Sequence, residues 1–218
     1  MISEKTVELN LTTELINWFS ITTGRVHYAL APSQRMEGIF GFDTAILAYG
    51  TGILIQYKRA YVEGTIWTWH LNRTTRQDQH LRLQIIERQG VPVLYALPNF
   101  HTPSEIATFR RHLLVLTFWF PPSYINPPGG PIGHHEVNYD ASNGRWWVSS
   151  DNISDIKPPL KIDEVKKIMR AKKHRGNLAK TIETFNKVLL KELPNTKGSI
   201  NKIEDNEIFG VNIFANNQ

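Results

Sequence analysis

Apolar positions along the first hundred residues alternate between spacings typical of helices and spacings typical of strands. Thr12-Thr13-Glu14 predicts the start of a first helix, because these residue types favour a first turn and an apolar face follows them. Thr75-Arg76-Gln77-Asp78 matches a capping box with Asp78 in the acidic position, and it predicts the start of a second helix, which Gly90 ends. Alternating or wholly apolar runs bounded by turn residues predict four strands. These runs occupy residues 25–30, 40–47, 52–58 and 91–97, so the expected order is α-β-β-β-α-β.

The pattern beyond residue 100 predicts a further helix, three more strands and two basic helices. Thr102-Pro103-Ser104-Glu105 is a capping box with proline in the first turn of a helix. Asn143-Gly144 favours a tight hairpin turn between two strand-like runs. The strands are expected at 113–120, 135–139 and 145–150, and the basic helices at 163–175 and 178–192.

The net charge of +5 is concentrated near the C-terminus. Residues 157–191 carry a net charge of +8, and the rest of the chain carries −3. Lysine is also rare before this block, because residues 6–156 contain ten arginines and a single lysine, Lys58. The change in composition predicts three parts. They are a domain at 1–153, a basic helical extension at 154–193 and a polar, flexible tail at 194–218.

Composition excludes or disfavours several classes of protein. The chain has no cysteine, which excludes disulfides, thiolate metal sites and cysteine nucleophiles. Its N-terminus lacks the layout of a signal peptide, and its longest apolar run is too short to cross a bilayer. It has no glycine-rich phosphate loop and no G-x-S-x-G elbow, so no organic cofactor is expected. These features predict a cytoplasmic protein without a membrane segment.

The centre of the candidate chemistry is a predicted hairpin in the N-terminal half of the chain. Side chains of a strand alternate between its faces, so Gln56 and Lys58 share one face of the second strand. A turn centred between Tyr49 and Gly50 places Asp43 directly opposite Gln56, where Cβ atoms lie about 4.5–5.5 Å apart. A carboxylate, an amide and an ammonium group then converge. A shift of one residue in the register would scatter them.

These three groups suit the hydrolysis of a phosphodiester. Carboxylate and amide oxygens are acceptable ligands for a hard cation such as Mg²⁺ or Mn²⁺. Such a cation lowers the pKa of bound water and stabilises charge on the phosphate, and a neighbouring lysine orients the water or neutralises the charge. The hypothesis is a metal-dependent endonuclease in which Asp43 and Gln56 bind the metal and Lys58 is catalytic.

The segments Gly41-Phe42-Asp43 and Ile55-Gln56-Tyr57-Lys58-Arg59 resemble the core of Mrr-like restriction endonucleases, a branch of the PD-(D/E)XK nuclease superfamily. That branch often has glutamine at the acidic position of its E-x-K element, and the superfamily core has the order α-β-β-β-α-β. The resemblance covers residues 10–98 and implies an α/β, restriction-endonuclease-like core with a mixed central sheet flanked by helices. It also implies cleavage of DNA with Mg²⁺, with Asp43 as the metal-binding aspartate and Lys58 as the catalytic lysine.

The resemblance further implies a second acid near Asp43, for which two residues compete. Glu37 lies six positions before the aspartate, as in an E-x5-D arrangement, and we favour it as a catalytic residue and metal ligand. Glu14 on the first helix is the alternative. Gln79, at the start of the second helix, is either an accessory residue of the site or an exposed polar residue.

The basic extension is expected to hold the nucleic-acid backbone without reading its sequence. Alternatively, it docks a partner protein or a second copy of the chain, or it is a solvated helix with no partner. The expected nucleic-acid-binding residues are Lys166, Lys167, Arg170, Lys172, Lys173 and Arg175. A role in restriction, defence or repair follows from analogy alone.

Other interpretations of the hairpin stay open. Glutamine in place of glutamate weakens metal binding, so the chain is alternatively an inactive, nuclease-like subunit that binds nucleic acid or serves as a scaffold. Asp43 and Lys58 alternatively form a plain ion pair, or the sheet belongs to a domain unrelated to nucleases.

His134-His135-Glu136 contains three side chains of types that bind metals in proteins. Adjacent residues of a strand point to opposite faces, so both histidines cannot readily bind one ion. Structural or surface roles are therefore expected for them.

Overall fold

The computed structural model describes residues 1–32, 37–38, 40–48, 51–72, 78–150 and 152–170. The helices are α1 (Glu4–Thr23), α2 (Gln79–Arg88), α3 (Pro103–Phe109) and α4 (Ile162–Arg170), with a 3-10 turn at Pro122–Tyr124. The first strands are β1 (Tyr28–Leu30), β2 (Thr44–Ala48), β3 (Thr51–Tyr57), β4 (Tyr61–Glu63) and β5 (Ile66–Asn72). The later strands are β6 (Val93–Pro98), β7 (Thr117–Phe120), β8 (His135–Asp140), β9 (Arg145–Ser149) and β10 (Ile153–Asp155).

Helix α1 begins well before Thr12, so the predicted start was wrong. Ser3 caps the helix, because its hydroxyl accepts the amide hydrogen of Thr6 at 3.0 Å. Thr13 lies inside the helix and its hydroxyl donates to the carbonyl of Leu9 at 2.8 Å, so it caps no terminus. Thr12 instead hydrogen-bonds the hydroxyl of Tyr57 at 2.8 Å and thereby ties α1 to β3. The buried face of the helix consists of Val7, Leu11, Leu15 and Phe19.

A mixed sheet forms the centre of the molecule, with the strand order β1-β2-β3-β6-β7. Its neighbouring strands are antiparallel, except that β3 and β6 are parallel. Helix α2 connects into the parallel strand β6, as a crossover between parallel strands requires. The expected α/β class with a mixed sheet is therefore confirmed.

A second, antiparallel sheet has the order β10-β9-β8-β5-β4. Its β4–β5 hairpin lies between β3 and α2 in the chain, so the order α-β-β-β-α-β predicted for residues up to 97 was incomplete. The missed strand β5 alternates in burial, with Trp69 and Leu71 turned into the core and His70 turned away from it. Its aromatic content favours a strand, but aromatic residues alone do not indicate which sheet it joins.

The mixed sheet separates two apolar clusters. On one face, Ile53 and Tyr57 of β3 pack with the buried face of α1. On the other face, Leu54 packs with α2 and with residues of the antiparallel sheet such as Trp69 and Trp146. The mixed sheet is therefore covered on both faces, and polar side chains at its strand ends lie next to an apolar interior.

Two predicted elements of the C-terminal half have the expected form, and one is shorter than predicted. Thr102 caps α3 with a complete capping box, and β8 and β9 pair as an antiparallel hairpin. The strand expected at 113–120 covers only Thr117–Phe120. The amides of Leu113 and Leu114 donate to the carboxylate of Glu14 and not to a neighbouring strand.

The segment after residue 153 contacts the rest of the domain. Strand β10 pairs with β9, Leu160 bridges to Trp119, and Val165 of α4 is fully buried beside α1 and β3. The division expected at residue 153 stays a prediction, although α4 supplies part of the core. The helix expected at 178–192 and the tail at 194–218 lie outside the described residues. Within the described ranges, no helix is long and apolar enough to cross a membrane.

Burial of Val165 gives a test of how firmly α4 belongs to the domain. Val165→Ala should lower the free energy of unfolding by about 2 kcal/mol, because it removes buried methyl groups and leaves a cavity. Lys167→Ala, at an exposed position of the same helix, should change it by less than about 0.5 kcal/mol. Urea unfolding of both variants checks this, and equal effects would mean that α4 does not contribute to the folded core.

Candidate active site

The register of the β2–β3 hairpin is the one that the sequence predicted. Thr44 pairs with Ile55 and Ala48 pairs with Thr51, so the turn is centred between residues 49 and 50. Asp43 directly precedes β2, and its amide donates to the carbonyl of Ile55 at 3.0 Å. The ladder ends at the pair of Thr44 and Ile55, so the predicted pairing of Asp43 with Gln56 lies just beyond it and stays a prediction.

Gln56 and Lys58 follow the predicted alternation of β3 and its extension. Ile55 and Tyr57 pack toward α1, so Gln56 and Lys58 face the opposite side, toward α2. Both polar residues are buried, with exposed fractions of 2 % and 6 %. The amide of Lys58 donates to the carbonyl of Ala96 at 3.1 Å, which aligns this position with the parallel strand β6.

The side-chain oxygen of Gln56 is left unsatisfied by the described residues. Its Nε2 donates to the carbonyl of Tyr57 at 3.3 Å. Its Oε1 is buried and has no hydrogen-bond partner among the described residues. An unpaired buried polar atom costs roughly 1–3 kcal/mol, so this oxygen is suited to a cation or a hydrogen-bond donor that enters the site.

Gln79, the first residue of α2, holds the ammonium group of Lys58. Lys58 Nζ donates to Gln79 Oε1 at 2.9 Å, and Gln79 Nε2 donates to the carbonyl of Gly41 at 3.1 Å. Gly41 has a φ of 80°, and a Cβ there would lie 3.1 Å from Gln79 Cγ. The glycine thus allows the loop before Asp43 to approach α2 closely. Gln79 is brought to the site and is not an exposed helix residue.

Asp43 has a carboxyl group that titrates near neutral pH. Burial raises its pKa to about 7, while the charge of Lys58 and a hydrogen bond to Oδ2 from the amide of Tyr57, at 2.7 Å, lower it. The negative charges of Glu37 and Glu8 raise this pKa further. Three carboxylates therefore act on the same small region, and a bound cation would relieve their repulsion.

The structure distinguishes Glu37 from Glu14, the two candidates for a second acid near Asp43. Glu37 lies close enough to Asp43 to affect its pKa, and its carbonyl accepts the amide of Gly41 at 2.7 Å. Glu14 is not brought to Asp43. Its carboxylate accepts the backbone amides of Leu113 and Leu114, at 3.2 and 3.3 Å.

Glu8 of α1 is the acid that the sequence reasoning missed. Its Oε1 accepts the hydroxyl of Thr44 at 3.1 Å, next to Asp43 in the chain, and it pairs with Lys5 at 2.8 Å. A helix predicted to start at Thr12 leaves Glu8 outside the element. The signal that would have found it is Ser3, which caps the helix and brings Glu8 into its second turn.

The atoms around Asp43 are of the type that binds hard cations, but among the described residues the carboxylates of Asp43, Glu37 and Glu8 do not form a group with all ligand atoms within 4.8 Å of one another. These atoms are all oxygens: the Asp43 carboxylate, the unpaired Gln56 Oε1 and the nearby carboxylates of Glu37 and Glu8. Mg²⁺ and Mn²⁺ prefer oxygen ligands, and carboxylates provide the negative charge that glutamine lacks.

The expected nucleic-acid-binding residues are only partly within the described range. Lys166 lies with its ammonium 5.7 Å from the ring centroid of Trp18, and Lys167 is exposed. Arg170 is the last residue of α4. Lys172, Lys173 and Arg175 lie outside the described residues.

Comparisons with protein-family models, with curated proteins and with solved structures give no match to this chain. The resemblance to Mrr-like nucleases therefore rests on the residues around Asp43 and Lys58. The geometry of the hairpin bears directly on those residues, because it decides whether they meet.

The close approach at Gly41 predicts a cost for any side chain there. Gly41→Ala should lower the free energy of unfolding by more than about 1–2 kcal/mol, since it combines a positive φ with a contact to Gln79. Gly64→Ala is the matched control, because its φ is 58° and a Cβ there meets no described atom within 4 Å. Urea unfolding should show a larger loss for Gly41→Ala, and equal losses would contradict the role of the contact.

The raised pKa of Asp43 predicts a pH-dependent gain in stability when its charge is removed. The folded state keeps this proton up to about pH 7, whereas the unfolded state loses it near pH 4, so wild-type stability falls as pH rises between these values. Asp43→Asn should therefore be more stable than wild type at pH 8, by at most about 4 kcal/mol at 1.36 kcal/mol per pKa unit.

The difference should shrink toward zero as the pH falls to 4, because both side chains are then neutral. Unfolding by urea across this pH range, in EDTA, checks the prediction. Glu63→Gln changes an exposed carboxylate of β4 and should not reproduce the effect. A difference in stability between Asp43→Asn and wild type that does not vary with pH would show that the pKa of Asp43 is not raised in the folded state.

Proposed function

We propose that this chain is a metal-dependent endonuclease that hydrolyses DNA phosphodiester bonds. The observation that carries the proposal is that the charge of Lys58 acts on the Asp43 carboxyl, while Gln56 is buried on the same face of the strand as Lys58. These are the residues that carry the resemblance to PD-(D/E)XK nucleases. Gln56 and Lys58 are buried beside an apolar interior, which is costly for a purely structural arrangement.

Asp43 and Gln56 would hold the cation, with Glu37 or Glu8 supplying a further carboxylate. A bound Mg²⁺ or Mn²⁺ supplies Lewis acidity and an acidified water molecule. Gln56 is neutral, so the charge that binds a divalent ion must come from the carboxylates. The titration of Asp43 near pH 7 implies that protons compete with the metal below that pH.

Lys58 would stabilise negative charge on the phosphate or orient the attacking water. Its ammonium is a compact charge in a site of low exposure, where electrostatic interactions are stronger than in bulk water. Gln79 holds Nζ from one side and is itself held by the carbonyl of Gly41. This support restricts the ammonium group, as electrostatic stabilisation of a transition state requires.

A restriction-endonuclease-like core is supported by the arrangement of α1, the β1–β2–β3 meander, α2 and the parallel strand β6. The β4–β5 hairpin is an addition to that order. DNA as the substrate rests on the resemblance and on the basic segment that begins in α4. A role in restriction, defence or repair belongs to the same proposal.

Cleavage of supercoiled plasmid and single-stranded DNA tests the function. Purified protein should nick DNA with Mg²⁺ or Mn²⁺ and not with EDTA. Asp43→Asn and Lys58→Met should each lower the rate by about 100-fold or more, since each removes a charge that acts on the reacting phosphate. Glu63→Gln and Arg25→Met change exposed residues away from the site and outside the basic extension, and they should retain the activity.

Each result decides between specific interpretations. Cleavage that survives both site variants would overturn the assignment of Asp43 and Lys58. A folded protein that binds DNA in a salt-dependent manner but does not cleave it with either Mg²⁺ or Mn²⁺ would contradict the proposed endonuclease activity. It would support an inactive nuclease-like subunit.

A further inference from the structure

Three potential metal ligands meet on the antiparallel sheet, on the face turned away from the core. His70 of β5 is paired directly with Glu136 of β8. His134 precedes β8 and lies two residues from Glu136, so both side chains project on the same face. His135 points the other way and is buried near His80, with ring centroids 6.2 Å apart.

The local spacing of residues 134–136 therefore indicates only two of the three ligands. His134 and His135 do take opposite faces, as expected. The missing ligand comes from β5, which is distant in sequence and adjacent in the sheet. A pattern search confined to residues 134–136 cannot find it.

The spacing of the ligand atoms is close to that of a coordinated ion. His70 Nδ1 lies 2.9 Å from Glu136 Oε1, and His134 Nε2 lies 3.4 Å from the same oxygen. One ligand atom from each of the three residues lies within 4.8 Å of the others. Ligands about 2.0–2.1 Å from a tetrahedral zinc ion are separated by roughly 3.3 Å, so little movement is needed for binding.

The environment orients these groups and leaves them accessible. The ring of His70 packs edge-on against Tyr61, with centroids 4.6 Å apart, and Arg59 Nε donates to the Tyr61 hydroxyl at 2.7 Å. Glu136 Oε2 accepts the hydroxyl of Ser149 at 3.4 Å. Support of this kind fixes the ligands of metal sites. The side chains of His70 and Glu136 are each 25 % exposed, so an ion can enter from solvent.

The donor set selects a different ion from the one expected at Asp43. Two imidazole nitrogens and one carboxylate oxygen suit Zn²⁺, Ni²⁺ or Cu²⁺, whereas Mg²⁺ prefers oxygen ligands alone. A nitrogen 2.9 Å from a carboxylate oxygen requires a proton or a cation between the two groups. The same contacts therefore fit either a metal ion or hydrogen bonds from histidine N–H groups to Glu136, and binding experiments separate the two.

We propose that His70, His134 and Glu136 form a binding site for a transition-metal ion of the Zn²⁺ type, separate from the candidate active site. A bound ion joins β5 to the segment that precedes β8. It stabilises the folded chain in proportion to its concentration, because the ligands come together only in the folded state. The three protein ligands leave a fourth position for water.

Titration of the full chain, without an affinity tag and after treatment with EDTA, tests the site. Isothermal calorimetry with Zn²⁺ and visible spectra with Co²⁺ should show one ion per chain. Excess Mg²⁺ should not displace it. Zn²⁺ should also raise the Tm of wild type and of Asp43→Asn equally, since the latter variant leaves the proposed site intact.

His70→Gln, His134→Gln and Glu136→Gln should each weaken Zn²⁺ binding by at least about 10–100-fold, because loss of a ligand costs no less than loss of one of its supporting contacts. His112→Gln, at an exposed histidine, is the control and should bind as wild type does. Circular dichroism confirms folding, and Glu136→Gln preserves the size of the side chain.

Two outcomes would overturn the proposal. One is the absence of Zn²⁺ binding by the folded wild type, which would mean that hydrogen bonds alone hold His70, His134 and Glu136 together. The other is binding that all three ligand variants retain or that Asp43→Asn abolishes, which would move the zinc to other residues. Failure of DNA cleavage would not affect the test of the zinc site, because that test measures Zn²⁺ binding and not activity.

Discussion

The register of the β2–β3 hairpin is the constraint on which the candidate active site depends. Two backbone contacts hold its open end: the Asp43 amide donates to the Ile55 carbonyl, and the Tyr57 amide donates to the Asp43 carboxylate. A slip of one residue would turn Gln56 and Lys58 toward α1 and bring apolar side chains to the polar face. The burial of both faces of this sheet therefore maintains the polar cluster.

That cluster is costly for the fold. Asp43 carries a raised pKa, and Gln56 retains an unpaired oxygen, although both lie next to well-packed apolar clusters. Groups that conflict with their surroundings in this way are expected at functional sites, where a ligand compensates for the conflict. Gly41 and Gln79 support the arrangement through close packing and hydrogen bonds, which keep Lys58 in place.

The β4–β5 hairpin connects the two proposed sites along the chain. It leaves the mixed sheet directly after Lys58 and reaches His70 on the outer face of the antiparallel sheet. The two sites differ in chemistry, because one offers oxygen ligands beside a dry interior and the other offers two imidazoles near solvent. The two proposals therefore call for different ions, a hard cation at Asp43 and a borderline one at His70.

Local pattern determined much of this protein from the sequence alone: the register of β2 against β3, the shared face of Gln56 and Lys58, and the capping box at Thr102. These features depend on residues close in the chain, where alternation and turn position suffice. Tertiary structure decided the rest. The approach of Glu8 to Asp43, the use of Glu14 at residues 113 and 114, and the meeting of His70 with Glu136 all depend on contacts between distant segments. Such contacts follow from how helices and sheets pack as whole bodies, and no local spacing in the sequence encodes them.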